Sequence, residues 1–327
     1  MRGKKILAVS VVLLFFFGIN FATWFLITRR CSGNFSGATR LHMIDVSSYL
    51  PFEEGSSLAK VDTDLKLEGD LPVLDGAAAL VPVYASVIDN IYPEGCVTYE
   101  GGTFSDDNEY GENFAEGSAM RYRNTIRGFN AVVDGDADLF FTAYPSEEQL
   151  AYAKEQGVEL EIVPVGLEAF VFFVNKDNPV TGLTCDEIRD IYSGEITNWS
   201  EVGGPDRIID PLTRIAGSGS QTMMEKFMGD KEIAPRDPMT IFGGAIGYSF
   251  RYYLSGMVAN DNVRMLDVDG VSPSEENIRN GSYPLTASFY VVYRKDNTNP
   301  NVELIVDFLL SEEGSDLISQ CGYTPLS

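Results

Sequence analysis

From residue 71 onward, short apolar runs alternate with stretches whose apolar residues recur at helical spacing, which narrows the chain to an α/β architecture with helices on the faces of a sheet. Leu80, Val83, Tyr84, Val87, Ile88 and Ile91 share one helical face, Pro82 lies early enough to bend the first turns, and Pro93 closes the segment. Strands are expected at 120–123, 138–142, 160–164, 169–174 and 288–293. Helices are expected at 125–133, 147–156 and 183–192, from the Gly/Ser loop 216–220 through 227, and as one or two segments over 301–320. Gly157 and Ser193-Gly194 supply stops. With 327 residues, 44% of them apolar, the chain can fill one large domain or two lobes.

Ahead of this region, residues 6–28 form an uncharged stretch rich in Leu, Val, Ile and Phe, preceded by Arg2, Lys4 and Lys5 and closed by Arg29 and Arg30. It is long enough to span a bilayer and lacks the short core and small-residue cleavage site of a secretory signal. The expectation is an uncleaved, single-pass transmembrane anchor: residues 1–5 as a cytoplasmic tip, 6–28 as the span, and 29–65 as a stalk. Basic charge sits at both ends, and the N-terminus is placed inside because everything downstream reads as an exported domain at the cell membrane. Arg30 ahead of Cys31 argues against a lipoprotein signal.

The net charge is -24, and beyond residue 30 the balance is 19 basic against 48 acidic side chains. Such a surface makes nucleic acid a poor partner. It does not exclude an anionic ligand, because a local pocket of N–H donors and one guanidinium dominates at contact distance while salt screens the rest. Cys31, Cys96, Cys185 and Cys321 are widely separated, form no C-x-x-C pair, and read as isolated thiols rather than a metal cluster. His42 is the only histidine and lies in the stalk, so the main domain has no candidate for histidine-dependent catalysis. No metal, cofactor or catalytic residue is expected.

The segment with most chemical content is Arg214-Ile215-Ala216-Gly217-Ser218-Gly219-Ser220-Gln221-Thr222. A Gly/Ser loop opening a helix presents backbone N–H groups and hydroxyls to an anion, the helix dipole adds to them, and Arg214 offers a fork matched to a tetrahedral oxyanion. An ordinary capped helix start explains most such loops. Asp75-Gly76-Ala77-Ala78-Ala79 suggests a second socket built of backbone amides, and Asn124-Thr125 a third, with Thr125 as hydroxyl donor.

These residues, together with others in order along the chain, resemble the phosphate-binding proteins of bacterial ABC importers. The resemblance runs through Leu71-Pro72 and Asp75 to Tyr84, Glu168 to Val180, and Asp190-Ile191-Tyr192-Ser193-Gly194-Glu195-Ile196-Thr197-Asn198-Trp199 with Gly203-Gly204. It continues in the Arg214 to Thr222 loop, Ala245-Ile246-Gly247-Tyr248-Ser249-Phe250 and Tyr283-Pro284-Leu285, and covers roughly residues 60–327. It implies a two-lobed periplasmic binding protein (type II) fold, each lobe an α/β sheet flanked by helices, closing on its ligand by a hinge. Lobe I is expected at 66–165 and 280–327, lobe II at 166–279.

Carried over residue by residue, the resemblance implies ligand contacts at Gly76, Ala77, Ala78, Thr125, Arg214, Ser218, Gly219 and Ser220, and a position near Ala143 where many members carry charge. Ala77, Ala78 and Ala143 depart from the pattern, replacing hydroxyl or charged residues by methyl groups. Arg123 and Arg127, flanking Thr125, are candidates for replacement positive charge. The span between Pro235 and Ala245 also looks short by one helix. The implied function is non-catalytic capture of inorganic phosphate, or a related oxyanion, for an ABC permease or a membrane sensor. The competing reading is a degenerate clamp that keeps the fold as a scaffold or sensory partner. A phosphate-ester hydrolase is disfavoured, because no paired nucleophile and base lies near the socket.

Overall fold

Sixteen consecutive residues, Leu160–Asn175, form one strand where the periodicity suggests two. The computed structural model in which this strand lies describes residues 45–101, 114–237, 240, 243–257 and 262–326. The pattern breaks around Pro164 and Gly166 because the register shifts there in a β-bulge, which bends the strand without ending it. A side chain on Gly166 would meet the Phe289 ring at 2.4 Å, so only glycine fits at the bend.

Numbered along the chain, the first part contains β1 (Leu74–Gly76), α1 (Val81–Ile91), α2 (Asn124–Asp134), β2 (Leu139–Ala143), α3 (Glu147–Glu155) and β3 (Leu160–Asn175). Next come β4 (Gly182–Leu183), α4 (Cys185–Ser193), β5 (Ile209–Pro211), α5 (Gly219–Met228), β6 (Gly244–Phe250), β7 (Val263–Met265), β8 (Asp267–Val268) and α6 (Glu275–Arg279). The chain closes with β9 (Thr286–Arg294), α7 (Pro300–Leu310), α8 (Glu312–Gln320) and β10 (Thr324–Pro325). The sheet order is β1-β2-β9-β3-β6-β5, with β7 and β10 also on β3 and a separate β4–β8 pair.

The strand β3 serves both lobes. Residues 160–169 pair antiparallel with β9, and residues 170–174 pair antiparallel with β6. On the first side lies a core of Leu74, Tyr84, Ile88, Phe141, Ile305 and Leu317, with Phe129, Phe140 and Val292 on the opposite face of the sheet. On the other side lies a core of Phe170, Phe172, Ile188, Tyr192, Trp199 and Tyr248. This is the two-lobed α/β arrangement, with the two half-sheets continuous through β3.

Local chemistry explains most boundaries. Ser146 with Gln149 and Thr184 with Glu187 form capping boxes at the starts of α3 and α4, and Gly194 ends α4 in the left-handed conformation. Leu183 is drawn out of the expected helix into β4, so α4 begins at Cys185. Ser311 separates α7 from α8 by capping the second helix. Pro82 sits in the first turn of α1, where its missing N–H costs nothing, and a 3-10 turn at Ala78–Leu80 precedes it. The strand expected at 120–123 shrinks to a bridge between Met120 and Leu74, because the chain turns into α2 at Asn124, whose φ is 63°.

The membrane anchor, and with it the cell-membrane tether and the membrane-anchored localisation, is corrected. Among the described residues no helix is long and apolar enough to cross a membrane. The longest described α-helices have 11 residues and reach about 16 Å, roughly half of a hydrocarbon core. Residues 1–5 and 6–28, the first part of the stalk through residue 44, His42 and Cys31 lie outside the described residues. Cys96, Cys185 and Cys321 are free thiols.

Phe172 is fully buried and its ring meets Phe170, Tyr192, Phe227 and Tyr248. Phe172→Ala is expected to cost about 3–5 kcal/mol, read as a lowered urea midpoint with little change in slope.

Candidate functional site

Asp75, at the middle of β1, is fully buried and organises one side of the site. Its Oδ1 accepts the Gly76 amide at 2.8 Å and the Arg123 amide at 3.0 Å, and its Oδ2 lies 3.5 Å from the Arg123 guanidinium. The carboxylate thus ties the end of β1 to the residue that enters α2. Gly128 makes room for this: a Cβ there would stand 3.2 Å from the Asp75 carboxyl carbon and 2.5 Å from the Phe140 ring.

The amides expected to bind an anion here are partly engaged. The Gly76 N–H is held by Asp75, and the Ala77 N–H donates to the Phe141 carbonyl at 2.8 Å. A Cβ on Gly76 would lie 2.5 Å from the Tyr84 ring, so the glycine is required by packing. Ala78 opens the 3-10 turn with its side chain buried. Thr125 is also buried and engaged: Asn124 Oδ1 accepts its amide at 2.8 Å and its hydroxyl at 3.3 Å.

The opposite wall is the start of α5. Ser218 caps the helix, accepting the Gln221 amide at 3.3 Å while its hydroxyl donates to the Ile215 carbonyl at 3.0 Å. Gly219 and Ser220 follow as the first residues of the helix. The Arg214 amide donates to Gln221 Oε1 and to the Tyr248 hydroxyl oxygen, each at 3.1 Å, and the Tyr248 hydroxyl donates to the same Gln221 oxygen. Burial pushes the Tyr248 hydroxyl up to about 12, partly opposed by the Arg214 amide and charge. The Arg214 charge offsets part of the rise that burial imposes on the Tyr253 hydroxyl. Arg214 Nε is buried with no hydrogen-bond acceptor among the described residues.

The two walls meet. A Cβ on Gly217, whose φ is 77°, would stand 3.2 Å from the Ile126 side chain, and one on Gly219 would stand 3.7 Å from the Ala143 Cβ. The structure therefore brings the start of α5, the start of α2 and the end of β2 to one place, and Gly76 and Ala77 adjoin them through Asp75 and Arg123 and through β2 at Phe141. An open groove of about 870 Å³ leads away between Ala143, Tyr144, Ser146, Gly219, Thr222 and Tyr290. Asp75, Asn124 and Gln221 fall within the candidate sockets without a contact of their own in the sequence reading, and Tyr253 falls outside them. Asp75 and Tyr248 lay inside conspicuous motifs, but only the fold shows what their polar atoms hold. Among the described residues no cluster of His, Cys, Asp or Glu has the arrangement of a metal site.

A family profile described as a PBP superfamily domain matches residues 118–313. The phosphate-binding protein PstS of Bacillus subtilis is 29% identical over 214 residues, which is 60% of this chain and 65% of that protein, so the chain spans just under two thirds of its length. Protein SphX of Synechococcus elongatus is 25% identical over 296 residues, 78% of this chain and 86% of that one. Among solved structures, a phosphate ABC transporter substrate-binding protein with bound phosphate from Clostridium perfringens aligns with a TM-score of 0.58 at 23% identity. It covers 79% of this chain and 100% of its own. An ABC-type phosphate transport receptor from Vibrio cholerae aligns with a TM-score of 0.53 at 21% identity, over 77% and 99% of the two chains. At these identities the structural likeness speaks to the fold.

Removing the Asp75 carboxylate takes the acceptor from the Gly76 and Arg123 amides and a charge partner from the Arg123 guanidinium. Asp75→Ala is expected to cost about 3–5 kcal/mol in urea unfolding, and Asp75→Asn, which keeps one acceptor oxygen, clearly less.

Proposed function

Because the chain belongs to the PBP superfamily, we propose that it is an extracytoplasmic receptor that captures inorganic phosphate, or a closely related oxyanion, between its lobes and delivers it to an ABC-type importer. The observation that carries this reading is Arg214. Its Nε is a buried donor with no acceptor among the described residues, and it belongs to the loop that leads into the Ser218-Gly219-Ser220 helix start, where the lobes meet. Buried donors are nearly always satisfied, and a guanidinium beside a helix N-terminus suits a tetrahedral anion. The names of the relatives from B. subtilis and C. perfringens support phosphate as the anion.

The ligand set we propose is Arg214, Ser218, Gly219 and Ser220 from one wall, with Thr125 and the Gly76, Ala77 and Ala78 turn on the other. The lobe limits, 66–165 with 280–327 and 166–279, belong to the same proposal. Binding, not catalysis, is the activity. A second reading, a clamp with an altered ligand serving as a scaffold or sensory partner, draws on the engaged amides of Gly76 and Ala77 and on Ala143, which contributes only a methyl group.

Calorimetry should give saturable phosphate binding, weakened about a hundredfold or more in Arg214→Ala by loss of charge-assisted hydrogen bonds of about 1.5–3 kcal/mol each. No heat with phosphate, arsenate or sulfate would overturn the reading in favour of the scaffold.

A further inference from the structure

Glu168 is buried at the point where β3 passes from one lobe to the other: it pairs with Ala287 on β9, while Phe170 pairs with Phe250 on β6. Its Oε1 accepts the Ala169 amide at 2.8 Å and its Oε2 the Tyr252 amide at 3.3 Å. Tyr252 comes directly after β6, in the chain of lobe II, yet it docks on lobe I. Its ring lies 4.8 Å from that of Tyr323, and it occupies the space a side chain on Gly322 would need. One carboxyl group therefore fastens the outgoing strand to the segment that returns from the other lobe.

We propose that closure of the lobes is linked to uptake of a proton at Glu168, so that ligand is held more tightly at mildly acidic than at mildly alkaline pH. The proposal rests on the clamp reading above and concerns the hinge rather than the anion socket; Glu168 acts as a positioning residue.

Burial pushes the Glu168 carboxyl up to about 7, opposed in part by the Ala169 and Tyr252 amides and by the Arg251 charge. The ionisable groups around it are Arg251 and Tyr252 after β6, Cys321 and Tyr323 near the C-terminus, and Tyr49 from the N-terminal turn. Burial raises the tyrosines and the thiol, Tyr252 to about 12 and Cys321 to about 11, so they stay neutral while Glu168 titrates. A rotation that lifts Tyr252 off β3 removes one hydrogen bond and admits water, which returns the carboxyl toward its ordinary range. With the described conformation, in which the walls approach at Gly217 and Ile126, as the closed one, the closed state binds more protons than the open one. Closure is favoured at acidic pH, and the advantage is lost as pH rises through about 7.

The test is phosphate titration calorimetry on the full chain at about pH 6 and about pH 8, in buffers of different ionisation heat, for wild type, Glu168→Gln and Arg251→Gln. Comparing wild type with Glu168→Gln cancels the ionisation of phosphate itself. Wild type should gain up to about tenfold in affinity over Glu168→Gln on going from the higher to the lower pH, with additional proton uptake. Arg251→Gln, which removes the charge favouring the carboxylate, should move the midpoint upward. Parallel pH profiles in wild type and Glu168→Gln, with phosphate heat in both, overturn the proposal. If no variant gives phosphate heat, the ligand reading fails and small-angle scattering of the ligand-free protein decides. A radius of gyration that rises with pH in wild type but not in Glu168→Gln supports the linkage, and identical curves overturn it.

Discussion

Residues 160–175 cannot satisfy their backbone N–H and C=O groups within one lobe. The first ten bond to β9 and the next five to β6, so the hydrogen-bond ladder of each half-sheet is completed by the same strand. Everything else in the structure is arranged around that constraint. The two apolar cores lie on either side of the switch of partners, and the bulge at Pro164 and Gly166 supplies the twist that aims the second half of the strand into the other lobe. The walls of the proposed site are carried by elements on opposite sides of the switch.

Charge is buried where geometry has to be held. Asp75 and Asp210 each sit at the middle of a three-residue strand and each faces an arginine, Arg123 in the first case and Arg236 in the second, where two contacts of 2.8 and 2.6 Å make a bidentate pair. Such pairs contribute little net stability compared with apolar packing, but losing one partner strands the other, which fixes the loops they join. The anion socket proposed at Arg214 is built differently. Its backbone is locked by Gln221 and Tyr248 while its guanidinium is left with donor capacity, the division of labour a binding site requires.

Much of the fold could be read from the chain. The α/β alternation, the capping residues Ser146 and Thr184, and Gly194 as a stop all act locally, and local signals survive translation into structure. What could not be read was non-local. The fusion of two expected strands into β3 depends on pairing partners over a hundred residues away, and the shift of Leu183 into β4 depends on β8. At the site, the Arg214 loop was legible because its donors are contiguous. That the Gly76 amide and the Thr125 amide and hydroxyl already have acceptors was not legible, because the Asp75 carboxylate and the Asn124 side chain take up these positions only once β1 and α2 meet. The transmembrane expectation came from hydropathy alone and is not carried by any described helix.

Lobe II is drawn from an internal stretch, and its entrance and exit are neighbouring strands, with Ala169 on β3 facing Thr286 on β9. Strands paired in this way stand about 5 Å apart, so lobe I holds shut the ends of a loop more than a hundred residues long. The entropy of closing that loop grows only slowly with its length, and the two gateposts are set by residues outside it. Insertions and deletions at the far side of lobe II are then invisible to the strands that carry it.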